Sequence, residues 1–140
     1  MTTPTAAPPV AGDFLEGLAT QDFARLGATL ADDAYMTGLV PSGLKEWDGP
    51  EQIVAIFRRW FGEVVAFDLV DAVVGGAGPR LHLRWRVRVR AGRLGDGWFV
   101  VEQQVYADTG PDGRIERLSL LCSGFWPEIP LQIPSERTPR

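Results

Sequence analysis

Few side chains in this sequence combine the type and the spacing that chemistry requires. Gln103 stands within an apolar alternation, because Val101 and Val105 share its face of a predicted strand and successive strand residues point to opposite faces. With residues 91–97 as the turn, Gln103 lies opposite Trp85. An amide among apolar groups can orient one carbonyl or hydroxyl of a ligand. Gln103 is therefore the candidate catalytic residue, and the alternative is a buried glutamine satisfied by backbone or water.

Other reactive residue types occur singly. Cys122 is the only cysteine and His82 the only histidine, so we expect no internal disulfide and no metal site. Cys122 lacks a histidine on its face and is interpreted as a small buried hydrophobe. The acidic pair Asp32 and Asp33 is interpreted as a solvated helix end. No cofactor is predicted, because the glycine-rich turn at 75–79 lacks the lysine and the helix of a phosphate loop.

We predict that a three-stranded antiparallel meander positions these residues. Its strands cover 81–90, 98–107 and 115–123. Its first strand alternates apolar residues with four arginines, so one face of the sheet is apolar and the other basic. The apolar face needs cover, and helices upstream can supply it.

The sequence before the meander predicts three helices and two short strands. Thr20 has the side chain of an N-cap, and Gly62 is a natural helix stop. The predicted elements are a helix from Asp13, a second from Thr20 to Asp33, a strand over 35–40, a helix from Pro50 to Gly62 and a strand over 67–74.

Length and composition predict one domain between two tails. The 140 residues can bury a core without disulfides, and the net charge of −4 argues against general nucleic-acid binding. The first residues lack the features of a signal peptide and no stretch suits a membrane span, so we expect a cytoplasmic protein without membrane partners. The predicted tails are 1–11, flexible, and 128–140, proline-rich, with the domain over 12–127.

Three local motifs carry a resemblance to a known superfamily. They are Leu30-Ala31-Asp32-Asp33-Ala34, Trp47-Asp48-Gly49-Pro50-Glu51 and Gly113-Arg114-Ile115. With the α+β order of helices and meander, the chain resembles the nuclear transport factor two-like superfamily, which includes ketosteroid isomerases, limonene epoxide hydrolases, scytalone dehydratase and SnoaL-like polyketide cyclases. The resemblance implies a cone, in which a curved antiparallel sheet wraps around the N-terminal helices and a pocket opens at the wide end.

The resemblance also implies catalytic positions, and these are substituted here. The isomerase base falls at Gly38, the oxyanion-hole tyrosine at Phe14 and the protonated aspartic acid at Gln103. Cyclases and epoxide hydrolases of this superfamily often place an acid inward on the last strand, at a position that falls near Leu120. Scytalone dehydratase relies on histidines, and the only histidine of this chain is His82. We therefore expect none of these mechanisms to operate unchanged.

The implied pocket is apolar apart from Gln103. One hypothesis is an enzyme of cyclase or isomerase type that works on an apolar substrate by proximity and orientation. The alternatives are a non-catalytic binding protein for a hydrophobic metabolite and a structural dimerisation module. The predicted lining residues are Phe14, Met36, Gly38, Phe57, Trp60, Leu83, Trp85, Phe99, Val101, Leu118, Leu120 and Cys122.

The outer sheet face permits three interpretations. Its arginines can face acids across the strands and stack on aromatic rings, as Arg90 can on Trp98, which gives a solvated and partly paired surface. It can instead form a homodimer interface, which the predicted exposure of Trp98, Tyr106 and Leu121 favours. An anionic ligand on the arginines is the third. The predicted dimer residues are Arg84, Arg86, Trp98, Glu102 and Tyr106.

Overall fold

Three α-helices and one extended sheet make up the computed structural model, which describes residues 9–128. The remaining parts of the predicted tails, 1–8 and 129–140, lie outside the described residues. The helices are α1 (Pro9–Ala19), α2 (Phe23–Ala28) and α3 (Pro50–Phe61), with a short 3-10 turn at Gly92–Leu94. The strands are β1 (Leu30–Val40), β2 (Gly43–Asp48), β3 (Ala66–Ala77), β4 (Arg80–Arg90), β5 (Phe99–Thr109), β6 (Ile115–Cys122) and β7 (Trp126–Pro127).

The strands form a single sheet in the order β2-β1-β6-β5-β4-β3, and β7 pairs with β5 beyond the end of β6. All neighbours are antiparallel except β1 and β6, which are parallel. The sheet curves around the helices without closing. The predicted α+β class, with a curved sheet wrapped around N-terminal helices, is confirmed.

The core lies between the inner face of the sheet and the three helices. On β4 the residues Leu83, Trp85 and Val87 have no exposed surface, while the arginines between them face outward. Phe14 from α1 and Phe57 from α3 are equally inaccessible and pack over them. The alternation that predicted the meander is therefore also the pattern that builds the core.

The two N-terminal helices begin at residues other than those predicted. Helix α1 starts at Pro9 rather than at Asp13, so the predicted tail is already helical from Pro9. Helix α2 is capped by Asp22, whose carboxylate accepts from the backbone N–H of Arg25 at 3.1 Å. The predicted cap, Thr20, follows the last residue of α1 and its hydroxyl donates back into that helix.

The acidic pair Asp32 and Asp33 lies in a strand, not at a helix end. Helix α2 stops at Ala28, and β1 begins at Leu30. A register shift between Leu30 and Tyr35 interrupts the pairing with β6, and both carboxylates face solvent there. The helical spacing of Leu30 misled the prediction, because a residue at a strand start fits that spacing as well.

Candidate functional site

Among residues 9–128, Gln103 is the one buried side-chain amide. It lies in the middle of β5, where its register partners are Trp85 on β4 and Cys122 on β6. Only 1% of its surface is exposed. The indole Nε1 of Trp85 donates to Gln103 Oε1 at 2.9 Å, and Gln103 Nε2 donates to Cys122 Sγ at 3.3 Å. The predicted position opposite Trp85 is confirmed, and two side chains bond the two ends of the amide.

The two bonds fix which way the amide points. An indole N–H can only donate, so the carbonyl end of Gln103 faces Trp85 and its NH2 end faces Cys122. One amide N–H and one oxygen lone pair remain beyond these two bonds. We call this hydrogen-bonded set of Trp85, Gln103 and Cys122 the amide row.

Cys122 has no base beside it. Its sulfur accepts from Gln103 and from the backbone N–H of Gly124 at 3.4 Å. His82 lies on the opposite sheet face, where its ring nitrogen meets Gln104 Oε1 at 2.9 Å and its ring stacks on Tyr106 at 4.6 Å. A cysteine–histidine pair is therefore excluded by geometry, as predicted from the sequence.

Aromatic rings fill the interior next to the amide row. Phe14 and Phe57 lie 5.6 Å and 6.2 Å from Trp85, measured between ring centroids, and Phe57 meets Trp60 edge-on at 5.2 Å. Four predicted lining residues thus come together in one cluster. Other predicted lining residues also face inward with 8% or less of their surface exposed: Met36, Leu83, Phe99, Val101, Leu118 and Leu120.

The position that the resemblance assigns to a catalytic base has no room for a side chain. A Cβ on Gly38 would lie 2.8 Å from Cζ3 of Trp47 and 3.2 Å from Cδ2 of Leu120. Trp47 was missed as a site residue because β2 was not recognised as a strand. The sequence offers little signal for β2, because Lys45, which shares a strand face with Trp47, is charged and exposed.

Three half-buried aromatic residues border the interior where α3 ends. Trp47 on β2 lies 5.8 Å from Trp60 at the end of α3, and Phe125 lies 6.2 Å from Phe61. We call Trp47, Trp60 and Phe125 the aromatic rim. Unlike the rings beneath them, they keep part of their surface in solvent, so they form the boundary between the core and water.

A surface groove of about 420 Å³ reaches the amide row from another side. It lies where β6 ends and β5 changes its partner to β7. Ser123 bridges this break, since its backbone and hydroxyl both bond to Glu102 at 2.9 Å. The lining residues are Leu39, Val40, Pro41, Glu102, Gln103, Gln104, Leu121, Cys122, Ser123 and Trp126.

The outer sheet face carries paired charges. Arg86 binds Glu102 through two contacts of 2.8 Å and 3.0 Å, and Arg88 binds Glu128 through two of 2.7 Å and 2.8 Å. The hydrogen bonds from Arg88 lower the pKa of the Glu128 carboxyl. These pairs are solvent-exposed, so each contributes little to the stability of the fold.

Three details of this face correct the predictions. Arg88, whose guanidinium lies 4.1 Å from the ring centre of Trp98, is the main stacking partner, since Arg90 is at 5.9 Å. Trp98 is half-buried under these arginines rather than exposed. Tyr106 is also half-buried, by its stack with His82.

Two further features bear on the kinds of site that the chain can offer. Within residues 9–128 no group of three or more His, Cys, Asp or Glu side chains is placed to hold a metal ion. Over the same range, each helix falls short of the length and hydropathy that a bilayer span requires.

Over residues 9–128, a curved sheet around three helices, with an apolar interior and one buried amide, makes an α+β cone. The sequence model of the SnoaL-like domain family matches residues 11–118. The chain therefore belongs to the SnoaL-like domain family, within the nuclear transport factor two-like superfamily that its motifs resemble. Curated protein sequences give no match.

Solved structures show the same fold at low sequence identity. A protein provisionally named SnoaL-like polyketide cyclase, from Shewanella denitrificans, is 16% identical with a TM-score of 0.63, over 82% of this chain and 88% of its own. A ketosteroid isomerase-like fold from Catenulispora acidiphila, in complex with trimethylamine, has the same identity and TM-score, over 82% and 85%. An LEH-like epoxide hydrolase from M. tuberculosis is 19% identical with a TM-score of 0.60, over 83% and 81%. At these identities the likeness shows the fold alone.

Proposed function

We propose that this chain is a small-molecule enzyme of cyclase or isomerase type that holds an apolar substrate beside Gln103. The observation that carries the proposal is the amide row, a single oriented amide set among aromatic rings. Such a site favours a substrate with a large apolar body and one carbonyl or hydroxyl group. The names of the cyclase-like and isomerase-like neighbours agree with this class of chemistry.

Orientation is the catalytic effect that these residues can supply. Trp85 fixes the amide of Gln103, so the remaining N–H has one direction in which to donate. A substrate carbonyl that gains negative charge as a ring closes or a bond rearranges without proton transfer would be stabilised by that donor. Holding an apolar chain in a reactive shape accounts for up to about 7–11 kcal/mol of a barrier in favourable cases. Neither effect requires the acid and base that other members of the superfamily use.

A non-catalytic binding protein is the second candidate, and the surroundings of Gly38 favour it. Trp47 occupies the space in which the resemblance places a base. The rings of Phe14, Phe57 and Trp85 have no exposed surface, so a ligand must displace side chains to enter. A protein that only holds or encloses a hydrophobic metabolite has no need of a proton-transfer group.

We also propose that two copies of the chain form a dimer through their outer sheet faces. The apolar residues that this face exposes include Leu39 at 51%, Leu121 at 44% and Val73 at 40%. Around them Arg84, Arg86 and Glu102 are paired with one another or with neighbouring acids, which reduces the cost of bringing two such faces together. Native mass spectrometry of wild type and Leu121→Arg tests it. We expect a dimer that the variant weakens, and a monomeric wild type would contradict it.

The experiment that tests the function begins with protein purified from its own host. Native mass spectrometry followed by denaturing extraction would detect and identify a copurified apolar metabolite. Gln103→Leu is then compared with Gln104→Leu, which makes the same change on the outer face of the same strand. An enzyme loses turnover of that compound in Gln103→Leu only. A Gln103→Leu variant that binds and turns over like wild type would contradict the proposal.

A further inference from the structure

Arg93 joins three separate segments at the aromatic rim. Its guanidinium Nη2 donates to the carbonyl oxygen of Trp60 at 2.9 Å and to that of Arg59 at 3.3 Å. These are among the last carbonyls of α3, which have no partner within the helix. The same guanidinium lies over the ring of Phe125, 5.2 Å from its centre. One side chain from the β4–β5 loop therefore holds two members of the rim.

The rim covers the interior in which the proposed substrate lies. Phe57 contacts Trp60 edge-on, and Phe61 contacts Phe125. Beneath the rim, Phe57 and Phe61 have no exposed surface. A ligand that approaches Gln103 from this end has to pass the end of α3 and Phe125. Arg93 contacts both, through the main-chain carbonyl of Trp60 and the ring of Phe125.

We propose that Arg93 is the latch of the substrate entrance and sets the rate at which an apolar ligand crosses the aromatic rim. This inference rests on the proposed function, because it presumes a ligand site beneath the rim. Arg93 acts through Trp60 and Phe125, so it is a positioning residue and not a catalytic one.

The chemistry of the latch suits repeated opening. Arg93 is exposed, so water can replace its hydrogen bonds when the loop moves away. Its segment, the 3-10 turn Gly92–Leu94, is followed by Gly95 and Gly97 with φ of 110° and 83°. These backbone conformations suit glycine and disfavour other residues. Glycines therefore set the course of the loop after Leu94, whose side chain packs against the core.

The end of α3 has a second attachment that is independent of Arg93. The side-chain Nε2 of Gln21 donates to the carbonyl oxygen of Phe61 at 2.6 Å. Gly62 closes the same helix through its own N–H. Because these bonds persist without the guanidinium, we expect Arg93→Ala to fold.

The test measures how fast an apolar probe enters and leaves the full chain. N-phenylnaphthylamine is uncharged and fluoresces when it binds an apolar site, so stopped-flow mixing gives both rates. The variants are Arg93→Ala, Arg93→Lys and, as the matched control, Arg59→Ala. Arg59→Ala removes an exposed guanidinium from the same helix end. It leaves all three contacts of the Arg93 side chain in place, because the carbonyl of residue 59 belongs to the main chain.

We expect Arg93→Ala to raise the association and dissociation rates together, by about tenfold, because charge-assisted hydrogen bonds are lost from the closed state only. The dissociation constant then stays unchanged, which mere loosening of the site would not produce. Arg93→Lys restores part of the effect, and Arg59→Ala behaves like wild type. Equal rates in Arg93→Ala and wild type would overturn the latch alone. Absence of probe binding in all four proteins would overturn the latch and the proposed function together.

Discussion

The two faces of strands β4 and β5 differ in how their polar groups are held. On the inner face a single amide, Gln103, is buried and bonded on both sides by side chains. On the outer face arginines and acids pair in solvent, as Arg86 and Glu102 do. A buried polar group is costly to leave unpaired, whereas exposed pairs are readily replaced by water. The isolated buried amide of Gln103 is therefore a better guide to the candidate site than the arginines, although the arginines are more conspicuous in the sequence.

The largest expected difference between the two faces is in the free energy of unfolding, and it concerns two consecutive leucines of β6. Leu120 has 2% of its surface exposed and Leu121 has 44%. Leu120→Ala should lower the free energy of unfolding by about 2–5 kcal/mol, because it removes buried methyl groups and leaves a cavity. Leu121→Ala should change it by about 0.5 kcal/mol or less. Urea denaturation of both variants measures the two values, and similar losses would contradict the assignment of faces.

Consecutive glutamines of β5 sharpen the comparison for polar groups. Gln103→Leu leaves the indole N–H of Trp85 without its acceptor, so we expect a loss of about 1–3 kcal/mol in unfolding free energy. Gln104→Leu removes a contact with half-exposed His82 and should cost about 0.5 kcal/mol or less. Both variants should remain folded, since domains have about 5–15 kcal/mol to lose. A Gln103→Leu protein as stable as wild type would show that the amide row is not formed.

Two strand glycines test whether Trp47 fills the interior. Gly38→Ala places a Cβ 2.8 Å from the indole of Trp47, and overpacking of this kind costs about 1–3 kcal/mol. Gly75→Ala meets nothing within 4 Å, so a neutral result or a gain of up to about 1 kcal/mol is expected. Thermal unfolding compares the two, and Trp fluorescence reports the displaced indole. If Gly38→Ala leaves the thermal stability unchanged, the indole of Trp47 can move aside freely and does not fill this part of the interior.

The smallest effect is a pH dependence on the outer face. Arg88 lowers the pKa of Glu128 in the folded chain, so this pair stabilises the fold above the ordinary glutamate pKa. The contribution is lost as the pH falls below about 4.3 and the carboxyl takes up a proton. Glu128→Gln should therefore be slightly less stable than wild type near neutral pH and equal to it in acid. A difference that persists in acid would assign the effect to something other than the charge.

The sequence predicted most of the meander and the class of fold. Alternation located β4, β5 and β6 to within two residues at each end, and it placed Gln103 opposite Trp85. It failed at β2 and at the start of β1, where a register shift and a mixture of polar and apolar residues hide the strand period.

The candidate site was predictable in part. The inward-facing set followed from the strand period. The role of Trp47, the sulfur partner of Gln103 and the contacts of Arg93 did not. Each depends on where two distant segments meet, and neither propensity nor periodicity reports that distance.

The side-chain amide protons of Gln103 offer the most direct test of the central claim, that this residue anchors an apolar ligand. Their NMR resonances can be assigned by comparison with Gln103→Leu, and the wild type titrated with acetylnaphthalene or with ethylnaphthalene, which lacks the carbonyl. We expect acetylnaphthalene to shift these protons strongly and to bind more tightly than ethylnaphthalene, and Gln103→Leu to abolish that preference. Binding of both compounds without a shift at Gln103 would contradict the account.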